Sequence, residues 1–264
     1  MNLDVVNVAD DALNPPSFWD PAATRVVPYD GSGVLVAVLD TGLKKNWRDY
    51  FPGERIDQVH ATAFTGGQAG FFEDEAHGIA AMTDRRWERD TIGHGTAVTS
   101  VIIGHRFIEL SKLIGDPLAP PAILNGVAPG ATIIPVKVSD HAFHILDLIA
   151  ALYYVGRLRE TGEITQPIVV NMSLRMDRTA GLESAIDFAI SWGVIVVASA
   201  GNEGPNGMLW PGAFPQVISA GATGWTQEWS EPTGSWVVQD VPEGNANESF
   251  IAKNLDKLTL LESI

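Results

Sequence analysis

Hydrophobic positions along the chain fall into two alternating patterns. Val34–Leu39 is a continuous apolar run of strand length, and similar runs recur at Thr132–Val138, Ile168–Met172, Val194–Ala198 and Val217–Ala220. Short runs rich in Val and Ile, bounded by Gly or Pro, suit strands buried on both faces. Between them the period changes. Ile145, Leu148, Ile149, Leu152 and Val155 follow the spacing of one helix face, as do Leu182, Ala185, Ile186, Ala189 and Ile190, with Gly193 at a stop position. Val98, Val101 and Ile102 predict a shorter helix just after His94. Alternating strands and helices joined by right-handed crossovers predict an α/β fold, a doubly wound, mostly parallel sheet with helices on both faces.

Three stretches fall outside this alternation. Residues 1–33 hold four of the 16 prolines and read as an irregular arm. Phe64–Arg89 is a Gly- and charge-rich loop, and Gly224–Glu243 reads as a surface excursion. Asn254–Ile264 carries Leu255, Leu258 and Leu261 at three-residue spacing, a short amphipathic helix with no evident packing partner. The expected division is an arm over 1–33, one domain over 34–223, and an excursion with an atypical tail over 224–264.

Composition narrows the function classes. Hydrophobic residues make up 45% of the 264, enough for a substantial core. A net charge of −15 disfavours broad contact with phosphate backbones, so no nucleic-acid partner is expected. The longest nearly apolar stretch, 142–156, is interrupted by Asp147 and too short to span a membrane. The absence of cysteine removes disulfides, thiolate metal sites and a cysteine nucleophile. Met1–Asp11 has three Asp and no Lys or Arg, so it does not read as a secretory signal. The compartment stays unassigned, with secretion expected if the chain belongs to a longer precursor.

Three side chains stand at the places where such a sheet gathers chemistry, the carboxyl ends of its strands. Asp40 follows the first run in Leu-Asp-Thr-Gly. His94 lies between glycines in Gly-His-Gly-Thr. Asn202 follows another run in Ser-Ala-Gly-Asn-Glu-Gly. Singly, each also reads as a turn or surface residue. Together, an acid that fixes an imidazole tautomer, an imidazole that takes a proton and an amide that steadies an oxyanion suit acyl transfer by an activated nucleophile.

The strings VAVLDTGL, GHGT, GVAPGATIIPVKV, VVNMSL and VIVVASAGNEGP, in this order from about Gly33 to Gly221, resemble the subtilisin-like serine peptidases. The resemblance implies Asp40 and His94 as catalytic acid and base and Asn202 as the oxyanion-hole amide. It implies Ser173 and Leu174 as part of a strand that pairs with an extended polypeptide substrate, and Ser199, Ala200 and Gly201 as the facing wall of the specificity pocket. It implies no metal in the chemistry. The family's calcium sites are loop-specific and no ligands are assignable here, so no cofactor is expected beyond the calcium that the resemblance allows.

The chain departs from the family at one decisive motif. The nucleophile normally sits in Gly-Thr-Ser-x-Ala at the start of a helix, downstream of the oxyanion Asn. Neither Gly-Thr-Ser nor Ser-x-Ala occurs anywhere in this chain. The nearest imitation, around Ser249, lacks the Gly and sets Glu248 beside the hydroxyl. The expectation is a serine endopeptidase domain truncated before its nucleophile. The alternatives are an inactive module that binds extended peptides and a non-functional fragment. Loss of the nucleophile's helix, which covers one sheet face in the family, predicts an opened core. Ala97 replaces a second His that is not the base, and Arg175 replaces a Gly beside the groove. Two rivals are weaker. A single Asp-Thr-Gly cannot form an aspartic dyad without a second copy. His141-x-x-His144 has no evident third ligand for zinc.

Overall fold

The computed structural model describes residues 29–64, 85–107, 122–124, 126–139, 144–203, 207–221, 227–230 and 235–238. The strands are β1 (Leu35–Asp40), β2 (Thr62–Ala63), β3 (His105–Phe107), β4 (Ala122–Leu124), β5 (Thr132–Lys137), β6 (Ile168–Met172), β7 (Ile195–Ser199), β8 (Ile218–Ala220), β9 (Gln227–Ser230) and β10 (Ser235–Val238). The α-helices are α1 (His94–Ile103), α2 (Ile145–Glu160) and α3 (Ala180–Ser191).

Six strands form one sheet in the order β2-β5-β1-β6-β7-β8, and every pairing in it is parallel. This is the expected α/β architecture. All six residues of β1 are buried, because alternate side chains enter two different cores. Leu35, Ala37 and Leu39 join the cluster that holds Leu148, Leu152, Val155, Leu182 and Ile186 of α2 and α3. Val36 and Val38 join Trp47, Phe51, Trp87 and Ile103 on the α1 side. Helices therefore lie on both faces, α2 and α3 together and α1 opposite them.

Most element bounds shift by one residue. β1 runs one residue further than the apolar run, so Asp40 is the last residue of the strand and pairs in register with Lys137. Helix α3 starts at a Thr179 cap, whose hydroxyl accepts from the Leu182 N–H at 3.2 Å. The face of α1 differs more. Its buried residues are Gly95, Thr99 and Ile103, whereas Val98 and Ile102 are partly buried. A glycine and a threonine carry no hydrophobic signature, so the apolar pattern points about one position away from the true contact face.

The surface excursion contains the antiparallel pair β9–β10, and β3 pairs antiparallel with β4. Neither hairpin follows from the apolar pattern. The arm to residue 28, the stretch 65–84 and the tail Asn254–Ile264 lie outside the described residues, as does Ser249. Among the described residues no helix is long and apolar enough to cross a membrane.

Candidate active site

Asp40 is wholly buried at the carboxyl end of β1, where the chain leaves the sheet. Its Oδ1 accepts the Thr41 N–H at 2.7 Å, which fixes the carboxylate's direction. Gly42 then turns the chain with φ of +88°, and a Cβ there would strike the Trp87 carbonyl. The same carbonyl accepts the Leu43 N–H at 2.7 Å. Lys137, buried at the end of the neighbouring strand, donates from Nζ to the Thr41 carbonyl at 2.7 Å and to the Arg89 carbonyl at 2.9 Å.

His94 is the first residue of α1. A helix start leaves backbone N–H groups without partners inside the helix. Here two of them are met by side chains from outside. The Gly95 N–H donates to Thr41 Oγ1 at 2.8 Å, and the Thr96 N–H to Asp90 Oδ2 at 3.1 Å. Asp90 also accepts from the Gly93 N–H at 2.6 Å and the Thr96 hydroxyl at 2.7 Å. Burial works against the charged form of Asp90, but these hydrogen bonds outweigh it and hold the carboxyl below its ordinary range. Gly95 lies directly against Gly42, and a Cβ on it would overlap the Gly42 carbonyl. The turn that carries Asp40 thus also caps the helix that carries His94.

The two side chains meet. His94 Nδ1 lies 2.8 Å from Asp40 Oδ1 and 2.9 Å from Oδ2. The hydrogen bond to Asp40 raises the imidazole's pKa above 6.5, partial burial opposes it, and the negative charges of Asp40 and Asp90 add to the rise. A carboxylate on Nδ1 leaves Nε2 as the nitrogen that can accept a proton. The imidazole is about half exposed, while the carboxylate behind it is sealed.

Both His94 and Asn202 line one cleft of about 750 Å³. Ser173, Leu174, Ser199 and Gly201 line it as well. Ala200 does not reach the lining. It is buried in the wall, where its N–H donates to the Ala220 carbonyl and its carbonyl accepts from Leu209. Ser199 closes β7, and its hydroxyl donates to the Leu174 carbonyl at 3.2 Å, tying the two walls together. Met176 forms an antiparallel bridge with Trp210, which fixes the segment that follows β6 at that point. Asn202 itself is exposed. Arg175 also lines the cleft, where its guanidinium, largely in solvent, lies 3.6 Å from the partly buried Glu203.

Several supporting residues went unassigned in the sequence. Asp90, Thr41 and Lys137 each hold the acid–base pair in place. Asp90 carried a legible sign, an Asp ahead of a helix start with Thr six positions later. Lys137 carried none, because a lysine inside an apolar run reads as a strand end. Among the described residues no group of three or more His, Asp or Glu side chains is arranged to hold a metal ion.

Residues 31–246 match the subtilase family (Peptidase_S8), and the chain belongs to that family. It is 31% identical over 196 residues to subtilisin BL of Lederbergia lenta, covering 73% of this chain and 56% of that protein. It is 29% identical over 225 residues to an extracellular serine proteinase of Thermus sp. (strain Rt41A), covering 80% of this chain and 44% of that one. Among solved structures, sphericase superposes with a TM-score of 0.55 at 26% identity, covering 82% of this chain and 61% of its own. The chain thus spans about half the length of the relatives it matches.

Proposed function

We propose that this chain carries the acid–base, oxyanion and peptide-binding parts of a serine-type endopeptidase site. The observation that carries the reading is the contact of a sealed Asp40 with His94 Nδ1, in a cleft that His94 shares with Asn202. In the proposed reaction Asp40 holds the imidazole in the tautomer whose Nε2 takes the hydroxyl proton of an attacking serine. His94, then cationic and stabilised by Asp40, returns that proton to the leaving amine. Asn202 donates its side-chain amide to the oxyanion of the tetrahedral intermediate. Side chains alone perform these steps.

The substrate is an extended polypeptide laid along Ser173–Arg175, with Ser199, Ala200 and Gly201 forming the opposite wall. Main-chain pairing along such an edge gives affinity independent of sequence, and the pocket behind it gives selectivity. The names of the relatives support an extracellular setting. The 264 residues include no Gly-Thr-Ser-x-Ala, so we propose that this chain supplies every part of the site except the attacking hydroxyl. By itself it binds extended peptides and does not cut them.

A fluorophosphonate probe, which labels only an activated serine, tests the missing hydroxyl. Binding of a fluorescent extended hexapeptide tests the groove. The expected result is no labelling together with saturable peptide binding that competes with a second extended peptide. Labelling abolished by Ser249→Ala would show that Ser249 completes the site and that the hydroxyl is not missing. Absence of any peptide binding would overturn the groove.

A further inference from the structure

The wall of the cleft that follows β6 carries a cation with donors to spare. Leu174 is buried in the core and Met176 packs against it, whereas the side chain of Arg175 between them is 72% exposed and lines the cleft. Its backbone is held on both sides. The Leu174 carbonyl accepts from the Ser199 hydroxyl, and the Met176 N–H donates to the Trp210 carbonyl at 2.9 Å. Its head is not held in the same way. Among the described residues the guanidinium makes no hydrogen bond, and its ion pair with Glu203, at 3.6 Å, is longer than one. Arg178, on the same segment, is the contrast. It donates to Glu183 at 3.2 Å and lies over the Trp210 ring, 5.1 Å from its centre. Among the described residues Arg175 is the one arginine or lysine that lines the cleft.

We propose that Arg175 is a specificity-determining residue of this cleft, and that it selects an acidic side chain, Asp or Glu, of the peptide bound there. The inference rests on the reading of the cleft as a groove for extended peptides. A guanidinium presents its N–H donors in a planar fork that matches both oxygens of a carboxylate. Glu203, in the opposite wall beside Asn202, is the resident counter-ion, and an ion pair this long and this open to solvent contributes little. A peptide carboxylate that approaches to hydrogen-bonding distance therefore displaces it. The seated peptide also excludes water from the new pair, which strengthens it. The chain as a whole carries a net charge of −15 and repels acidic peptides at long range. A preference for an acid must then come from this local cation, so it belongs to one position of the peptide and not to the peptide's total charge.

The test is a scan of fluorescent hexapeptides against the full chain. Each is acetylated and amidated, so that a side chain holds the one carboxylate, and each carries Glu, Gln or Lys at one position of an uncharged background. At one position Glu is expected to bind about tenfold tighter than Gln, the scale of a hydrogen bond to a charged group. That ratio should shrink as salt is raised from about 50 mM to about 500 mM. Arg175→Met should bring it to about one, whereas Arg175→Lys, which keeps the charge but not the fork, should retain part of it. Glu203→Gln removes the competing carboxylate and should raise the ratio. Equal binding of Glu and Gln at every position would overturn the proposal while leaving the groove intact. So would a Glu preference that survives Arg175→Met, or a preference for Lys, which would assign the selectivity to Asp177 on the same wall. Absence of binding by every peptide would instead overturn the groove itself, and this inference with it.

Discussion

Two turns leave the carboxyl edge of the same sheet, and they are built differently. The turn after β1 is sealed. Asp40 and Thr41 are buried, and Thr41 is tied through its N–H, its hydroxyl and its carbonyl to Asp40, Gly95 and Lys137. The turn after β7 is open. Ser199 and Gly201 are partly buried, Asn202 is exposed, and among the described residues the backbone of the turn is tied through Ala200, to Ala220 and Leu209. The first turn sits beneath α1. The second sits at the end of the half-sheet whose α1-side face no described helix covers. Rigidity at this rim therefore follows the cover on the face below it. A carboxylate that must orient an imidazole needs such a frame, since catalytic geometry fails with small displacements.

The sharpest way to break the comparison is to push α1 off the first turn. Gly95→Ala would place its Cβ against Gly42, whose carbonyl and N–H are both backbone and cannot rotate aside. We expect a loss of about 3 kcal/mol or more, at the upper end of overpacking costs, measured by denaturant unfolding. The His94 titration should fall back towards 6.5 as its contact with Asp40 loosens. Lys137→Met should come next. It removes the ammonium that the buried Thr41 carbonyl and the partly buried Arg89 carbonyl accept from, while keeping most of the side-chain volume. Leaving the Thr41 carbonyl unpaired should cost about 1–3 kcal/mol. If either variant is as stable as the parent, the sealed turn is not the rigid half of the site.

What the sequence disclosed follows the same line. The order of β1, β5, β6, β7 and β8 and of the helices is legible because those strands lie in apolar runs rich in Val and Ile and each of α2 and α3 carries an apolar stripe, whereas β2, only Thr62–Ala63, carries no such run. Asp40 and His94 are legible because glycines flank them at strand and helix ends. The frame around them is not. Gly95 works by having no side chain, Thr41 by a hydroxyl turned to a helix start 54 residues away, and Lys137 by reaching across to a neighbouring turn. These are contacts between distant segments, and no local pattern encodes them. The open half-face was legible only as a consequence of the missing motif, and the strands that expose it, β7 and β8, read in sequence as fully buried.

Asp90→Ala should cost about 1–2 kcal/mol, as loss of a helix-start acceptor does. The pH dependence gives its sign. The carboxyl titrates below its ordinary value of 3.8 in the folded chain, so its stabilisation is complete above that value and is lost as pH falls through the lowered one. The gap between Asp90→Ala and the parent should therefore be full at neutral pH and close in strong acid. A gap that persists unchanged at pH 2 would point to a packing defect rather than to the charged acceptor.

His94 responds with the opposite sign. Its pKa is raised above 6.5 in the folded chain by Asp40, so the contribution of the pair is complete below 6.5 and is lost as pH rises through the raised value. Asp40→Asn removes the charge but keeps the shape. The His94 ring protons, followed by NMR, should then titrate at or below 6.5. An unchanged titration would mean that the Nδ1 contact does not govern this imidazole.

The smallest effect is expected in the second turn, and that is what makes it informative. Asn202 is exposed and follows a strand whose outer face is open, so Asn202→Ala should alter stability by less than about 0.5 kcal/mol. Peptide binding should change little as well, because the proposed amide contact forms with an oxyanion and not with the resting carbonyl. A loss above about 1 kcal/mol would show that this turn is as firmly built as the one after β1. The difference in cover beneath the two turns would then have no consequence for the rim, and the contrast between a framed acid–base pair and an unframed amide would fail.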